Sequence, residues 1–128
     1  MPLNLNFDLD KPIYLQIIDE IKRAIVRGEL APGAKIPSQR ELAQQIKVNP
    51  NTVQKAYQEM ERIRLVETLR GQGTFICNEP ELLKSIRTDM AKEALEIFIN
   101  DVKSLGFAPE DIREMVESAL KMGNRAQR

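Results

Sequence analysis

The chain has 128 residues, 42% of them hydrophobic and 30% charged, with 19 basic and 19 acidic side chains and no net charge. That length and balance fit a soluble, folded chain of one compact domain, or a small domain with an appendage, and exclude a disordered or collagen-like polymer. The absence of histidine removes the usual general base and most zinc sites, and a single cysteine, Cys77, excludes an internal disulfide and a thiolate metal cage.

No apolar run is long enough to cross a bilayer. The start, Met1-Pro2-Leu3-Asn4, lacks a basic stretch followed by an apolar one, so no signal peptide is expected and a cytoplasmic location is. The lone cysteine fits a reducing compartment. No cofactor or metal ligand set is visible, and no nucleophile–base pair, so an enzyme is not expected.

A first helix is expected from about Pro12 to Arg27, with proline in its first turn and Tyr14, Ile17, Ile18, Ile21, Ala24 and Ile25 on one apolar face. Gly28 suits its end, and Leu30-Ala31-Pro32-Gly33 reads as a turn. Ser38-Gln39-Arg40-Glu41 is a capping box, so a short second helix starts at Ser38, ends near Gln45 or Ile46, and turns Leu42, Ala43 and Ile46 inward. Asn49-Pro50 then opens a third helix, with Asn49 as N-cap and Val53, Ala56, Tyr57, Met60 and Ile63 as its buried stripe. The short Lys47-Val48 link forces a tight turn, which makes the pair a helix-turn-helix. Leu65–Leu69 reads as a strand, Arg70-Gly71-Gln72-Gly73 as a turn and Thr74–Cys77 as a returning strand. A hairpin directly behind such a helix is the wing of a winged helix.

The composition shifts near Asn78-Glu79-Pro80. Residues 1–78 are therefore expected to form a winged helix-turn-helix DNA-binding domain, and 79–128 a helical dimerisation or effector region. From about Pro80 to Leu105 one amphipathic row holds Leu83, Ile86, Met90, Ala94, Phe98, Val102 and Leu105. A second row holds Leu82, Ala91, Leu95 and Ile99. Gly106 ends this helix, and Pro109 starts another carrying Ile112, Met115, Val116, Ala119 and Leu120, with a frayed tail from Gly123 to Arg128. Two apolar rows cannot both be hidden on one short partner helix. Pairing with a second chain through Leu83, Ile86, Met90, Ala94, Leu95, Phe98, Ile99, Val102, Ile112 and Val116 would bury the excess; packing back on the winged helix is the alternative.

The polar residues opening the third helix, Asn49, Asn51, Thr52, Gln54 and Lys55, suit major-groove recognition. Amides bond adenine bidentately, and lysine reaches guanine or phosphate. An ordinary solvated helix face capped by Asn49 would carry the same residues. Arg40 could meet guanine or phosphate, or simply pair with Glu41 or Glu67. Ser38 and Gln39 lie where a phosphate would pass, although Ser38 already has a capping task. At the wing tip, the glycines of Arg70-Gly71-Gln72-Gly73-Thr74 allow close backbone approach and the arginine favours a minor groove, but glycine also serves turn geometry alone. Net neutrality speaks against a nucleic-acid partner. The distribution is less flat: residues 35–75 hold seven basic side chains (Lys35, Arg40, Lys47, Lys55, Arg62, Arg64, Arg70) against Glu41, Glu59, Glu61 and Glu67, whereas residues 79–128 hold eight against ten.

Together, Pro12-Ile13-Tyr14-Leu15-Gln16-Ile17, Leu30 through Ser38, Arg40-Glu41-Leu42-Ala43, Val48 through Tyr57 and Arg70 through Phe75 closely resemble the GntR family of bacterial transcription regulators over about Lys11 to Asn78. The resemblance implies a mainly α fold with a small β-hairpin, that is, an N-terminal winged helix plus a two-helix C-terminal region. It also implies a dimer on double-stranded operator DNA, contacted through Arg40, Asn49, Asn51, Thr52, Gln54 and the wing tip around Gly71 and Gly73. The full set of expected contacts adds Ser38, Gln39, Lys55, Tyr57, Arg70, Gln72 and Thr74. Relatives usually carry glycine where this chain has Arg64, often glutamate at Gln39 and a basic residue at Leu69, and some carry arginine at Pro50 and Gln54. These departures bear on operator sequence and affinity. The short tail resembles the YtrA subfamily, which implies a dimerisation appendage without a roomy ligand cavity and, as is common there, control of a transporter operon; a homodimeric repressor of an inverted-repeat operator is the expectation, with activation left open. It names no effector. A winged helix used only for protein contacts is the competing class, and it would leave no DNA footprint.

Overall fold

The computed structural model describes residues 10–126, with side chains to residue 123. The first residues, expected to carry no leader, and the last two of the tail lie outside that range. Five helices and three short strands follow in the order α1 (Ile13–Val26), β1 (Lys35–Ile36), α2 (Gln39–Ile46), α3 (Pro50–Arg62), β2 (Val66–Leu69), β3 (Gly73–Ile76), α4 (Pro80–Ser104) and α5 (Pro109–Ala126). The fold is mainly α with a small antiparallel sheet, as the sequence implies. The chain divides into two compact units after Arg87, inside α4.

In the first unit, α1 begins one residue later than expected. Pro12 is its N-cap, and it has no side-chain cap. Its carbonyl accepts instead from the backbone N–H groups of Leu15 and Gln16 at 3.1 and 3.3 Å, and the Gln16 amide donates to the Lys11 carbonyl at 2.8 Å. The Leu15 bond occupies one of the N–H groups that a helix start otherwise leaves open. The expected apolar face is buried at Ile17, Ile18, Ile21, Ala24 and Ile25, while Tyr14 lies at its half-exposed edge. α1 and α2 pack on α3, whose Val53, Ala56, Tyr57 and Met60 are buried, and Leu42, Ala43 and Leu65 complete the core.

The expected hairpin is present and gains a third strand. The sheet order is β1-β3-β2, with Lys35 opposite Phe75 and Ile36 opposite Thr74 on one side of β3, and Thr68 opposite Thr74 and Leu69 opposite Gly73 on the other. The Gly33 N–H to Ile76 carbonyl bond (3.0 Å) and the Ile76 N–H to Ala34 carbonyl bond (2.8 Å) extend the β1 edge. Burial of Ile36, Val66 and Ile76 anchors the sheet. The wing therefore stands on a strand from the segment just before α2.

The second unit holds most of α4 and all of α5. In α5 the Asp111 carboxylate accepts from the Ala108 N–H at 3.0 Å, which caps the start. The helix continues to Ala126, past the expected fraying point at Gly123. Within this unit Ile112 is buried, yet Leu95, Phe98, Met115, Val116, Leu120 and Met122 are exposed.

Candidate nucleic-acid interface

The capping box at α2 forms as its sequence requires. The Ser38 hydroxyl accepts from the Glu41 N–H at 3.1 Å, and the Glu41 carboxylate accepts from the Ser38 N–H at 3.3 Å. Both side chains are thereby committed to the helix start, and the next exposed groups are Gln39 and Arg40. At the α2–α3 joint Lys47 adopts a left-handed conformation (φ 55°), and the Val48 N–H returns to the Ala43 carbonyl at 3.2 Å. Asn49 then caps α3, its side-chain oxygen accepting from the Asn51 N–H at 2.8 Å. That bond uses the Asn49 oxygen but leaves its amide donors.

This geometry brings residues of the two helices together. Gln39, Arg40, Ala43 and Gln44 of α2 and Val48, Pro50, Asn51 and Gln54 of the joint and α3 line one open surface recess. Asn51, Gln54 and Lys55 are exposed and Thr52 is half-buried. Because the opposite face of α3 is the core stripe, these residues share the solvent face. The Lys55 ammonium sits over the Tyr14 ring, 4.2 Å from its centroid. Tyr14 did not stand out in the sequence, where its spacing marks it only as part of an apolar face.

Two expected DNA contacts need correction. Tyr57 is 0% exposed, and its hydroxyl donates to the Pro37 carbonyl at 2.5 Å. Burial, and secondarily the negative charge of Glu41, push its phenol well above the usual tyrosine range, so it stays neutral. It is a buried strut between α3 and the residue before the α2 cap. Thr74 is also buried, with its hydroxyl 3.2 Å from that of Thr68 across β3 and β2; Thr68 in turn donates to Glu61 at 2.5 Å. At the wing tip Arg70, Gly71 and Gln72 are exposed, and Gly73 is half-buried. Gly71 and Gly73 have φ of 80° and 126°, and a Cβ on Gly73 would lie 2.7 Å from the Lys35 Cε. Both glycines are thus required by the turn itself.

The charges are unevenly committed. Arg62 pairs with Glu59, which lies below its usual carboxylate range because of that hydrogen bond. Among the described residues no carboxylate pairs with Lys35, Arg40, Lys47, Lys55, Arg64 or Arg70. The alternative of an Arg40 pair with Glu41 or Glu67 is not what the structure shows.

In the second unit Leu95, Phe98, Val116 and Leu120, flanked by Ala91, Ala94, Met115 and Ala119, line a continuous apolar groove between α4 and α5. Of the residues expected to pair two chains, Ile86 and Ile112 are buried within the protomer and so are unavailable. Leu83, Met90, Ile99 and Val102 are half-buried, and Ala94, Leu95, Phe98 and Val116 are exposed. The sequence rows missed Ile97, Phe107 and Met122, which are also exposed. No group of residues among those described could hold a metal ion, and none of the described helices is long and apolar enough to cross a membrane.

The model of the bacterial regulatory proteins, gntR family, matches residues 13–76. The chain is 48% identical to an uncharacterized HTH-type transcriptional regulator YhcF of Bacillus subtilis, over 91% of this chain and 97% of that one. It is 45% identical to the HTH-type transcriptional repressor YtrA of Bacillus subtilis, over 83% of this chain and 82% of that one. Its fold is similar to that of a GntR family transcriptional regulator from Listeria monocytogenes, with a TM-score of 0.79 and 38% identity, covering 88% of this chain and 98% of the other.

Proposed function

The chain belongs to the gntR family of bacterial regulatory proteins, a family of DNA-binding transcriptional regulators rather than enzymes, and we propose that it is a homodimeric repressor that reads an inverted-repeat operator through α2, α3 and the wing. The observation that carries this reading is the shared recess at the α2–α3 joint, where Gln39, Arg40, Asn51 and Gln54 converge. The arginine and amides are the side chains that bond guanine and adenine edges bidentately, and Arg40 has no carboxylate competing for it among the described residues. Ser38, Asn49, Thr52 and Lys55 serve as phosphate or sugar contacts. The exposed Arg70, Gly71 and Gln72 enter the adjacent minor groove, with Gly73 closing the turn. Tyr57 and Thr74 hold the scaffold from beneath.

Dimerisation is assigned to the apolar groove of α4 and α5. Covered by the same groove of a second chain, it removes Leu95, Phe98, Val116 and Leu120 from water. The two recognition helices then enter successive major grooves roughly 34–36 Å apart, and the bound dimer blocks polymerase. The 1–78 and 79–128 division is retained as a functional one. The similarity to the YtrA repressor supports repression, and the subfamily resemblance supports a transporter operon as the target.

The test is footprinting on the DNA upstream of the chain's own gene, followed by affinity measurements on the protected sequence and on random DNA. Arg40→Ala and Asn51→Ala should each lose about 1–3 kcal/mol on the operator and less on random DNA. Equal losses on both would reduce these residues to phosphate positioning, and no footprint would remove the operator reading altogether.

A further inference from the structure

We propose that Tyr14 is a positioning residue for DNA binding: its ring holds the Lys55 ammonium in place at the edge of the α3 reading face, so that the lysine meets a backbone phosphate already ordered. This rests on the reading of α3 as the DNA-facing helix. Lys55 lies four residues after Asn51 and three after Thr52, which puts it on the same face, one turn further along α3. Tyr14 belongs to the first turn of α1, a different element, so the contact at 4.2 Å is made by the packing of α1 on α3 and not by helix periodicity. Tyr14 is half-buried, whereas Lys55 is exposed.

A lysine side chain carries a compact charge on a flexible four-carbon stem, and ordering that stem weakens any contact it makes. A ring face covers one side of the ammonium and leaves its other donors free, so the same cation accepts a phosphate without leaving the ring. A carboxylate would have ordered the lysine equally well but would have neutralised it. Among the described residues none pairs with Lys55. The partner is the phosphate backbone of duplex DNA, so the effect is independent of sequence and can be read on any duplex.

The experiment measures binding of the full chain to a short duplex of arbitrary sequence by fluorescence anisotropy, across a salt series, for Tyr14→Phe, Tyr14→Leu, Lys55→Ala and the Tyr14→Leu/Lys55→Ala pair. Thermal melting of each variant checks the fold. Tyr14→Phe keeps the ring and should bind like the parent. Tyr14→Leu should weaken binding by about two- to fivefold, the scale of the ordering cost of one flexible side chain. Lys55→Ala should weaken binding and reduce the salt slope by about 1. The double variant should bind like Lys55→Ala alone, because the ring acts only through the lysine. Unchanged or tighter binding by Tyr14→Leu overturns the proposal, as does a Tyr14→Leu effect that persists without Lys55. A loss on Tyr14→Phe equal to that on Tyr14→Leu also overturns it, since the hydroxyl would then be a contact in its own right. If Lys55→Ala binds like the parent, this proposal falls with the lysine's phosphate role, while the interface reading still stands or falls separately on Arg40 and Asn51.

Discussion

Replacing Tyr57 by phenylalanine separates a structural role from a recognition role at one atom. The hydroxyl is inaccessible and donates to the Pro37 carbonyl, one residue before the Ser38 cap of α2. Its removal leaves a half-buried carbonyl without that donor and a hydroxyl-sized void, a cost of about 1–2 kcal/mol. For a domain of this size that lowers Tm by about 5–10 °C. The chain has no tryptophan, so the melt is followed by circular dichroism. The pH dependence gives an independent reading. The phenol is raised above its unfolded value, so the folded state holds its proton where the unfolded chain, near pH 10, gives it up. Its contribution is therefore fully present below about pH 10 and is lost as pH rises towards the folded value. The parent should lose stability above about pH 10 more steeply than Tyr57→Phe, whose curve lacks this one titration. Parallel alkaline limbs, or a Tm unchanged within a degree or so, would refute the strut. Unchanged stability combined with a selective loss of operator affinity would return Tyr57 to the DNA-contacting set.

At Arg64 the backbone is left-handed (φ 64°) just after α3, a conformation that costs an L-residue about 1–2 kcal/mol. Arg64→Gly should raise stability by about 0.5–1 kcal/mol after the entropic cost of glycine, read as a higher urea midpoint; a lower midpoint would mean that the arginine side chain supplies a compensating contact. Phe98→Glu places a carboxylate in the α4–α5 groove. It should convert the proposed dimer to monomer in light scattering at micromolar concentration and weaken operator binding at least tenfold, and a variant that remained dimeric would move the interface elsewhere.

The parts legible in the sequence are those set by neighbours along the chain. Ser38 with Glu41 and Asn49 with Pro50 announce two helix starts because each cap is satisfied within three residues. The buried stripe of α3 follows from its period, and the period outweighs the recognition role given to Tyr57: that residue is in the stripe, and the stripe is dry. β1 was not legible. Two residues have no alternation to detect, and Lys35-Ile36 becomes a strand only through pairing with Phe75 and Thr74, forty residues on. Thr74 failed for the same reason, since proximity to the tip in sequence says nothing of which face a strand residue takes. Ile86 and Ile112 belong to rows that the sequence could not divide between the protomer's own core and a free surface, because helical period marks apolar positions without naming what covers them. Arg64 was visible only as a place where relatives carry glycine, and its positive φ supplies the physical reason.

Net neutrality, the feature least suited to a DNA-binding chain, looks different once each charge is placed. In residues 35–75 Glu41 is occupied by the Ser38 N–H, Glu59 by Arg62 and Glu61 by the Thr68 hydroxyl. These carboxylates keep their charge, yet each is fixed to a structural partner. Six of the seven cations in the same stretch have no carboxylate partner among the described residues. A phosphate approaching within a few ångströms responds to the nearest charges, because salt screens those beyond about 8–10 Å. The relevant quantity is therefore the local balance, seven basic side chains against four acidic in this stretch, rather than the sum over the chain. A modest local excess also has a use. On the proposed reading, few non-specific phosphate contacts keep affinity for arbitrary DNA low, and a larger share of operator affinity comes from the base contacts assigned to Arg40, Asn51 and Gln54, which favours discrimination over grip.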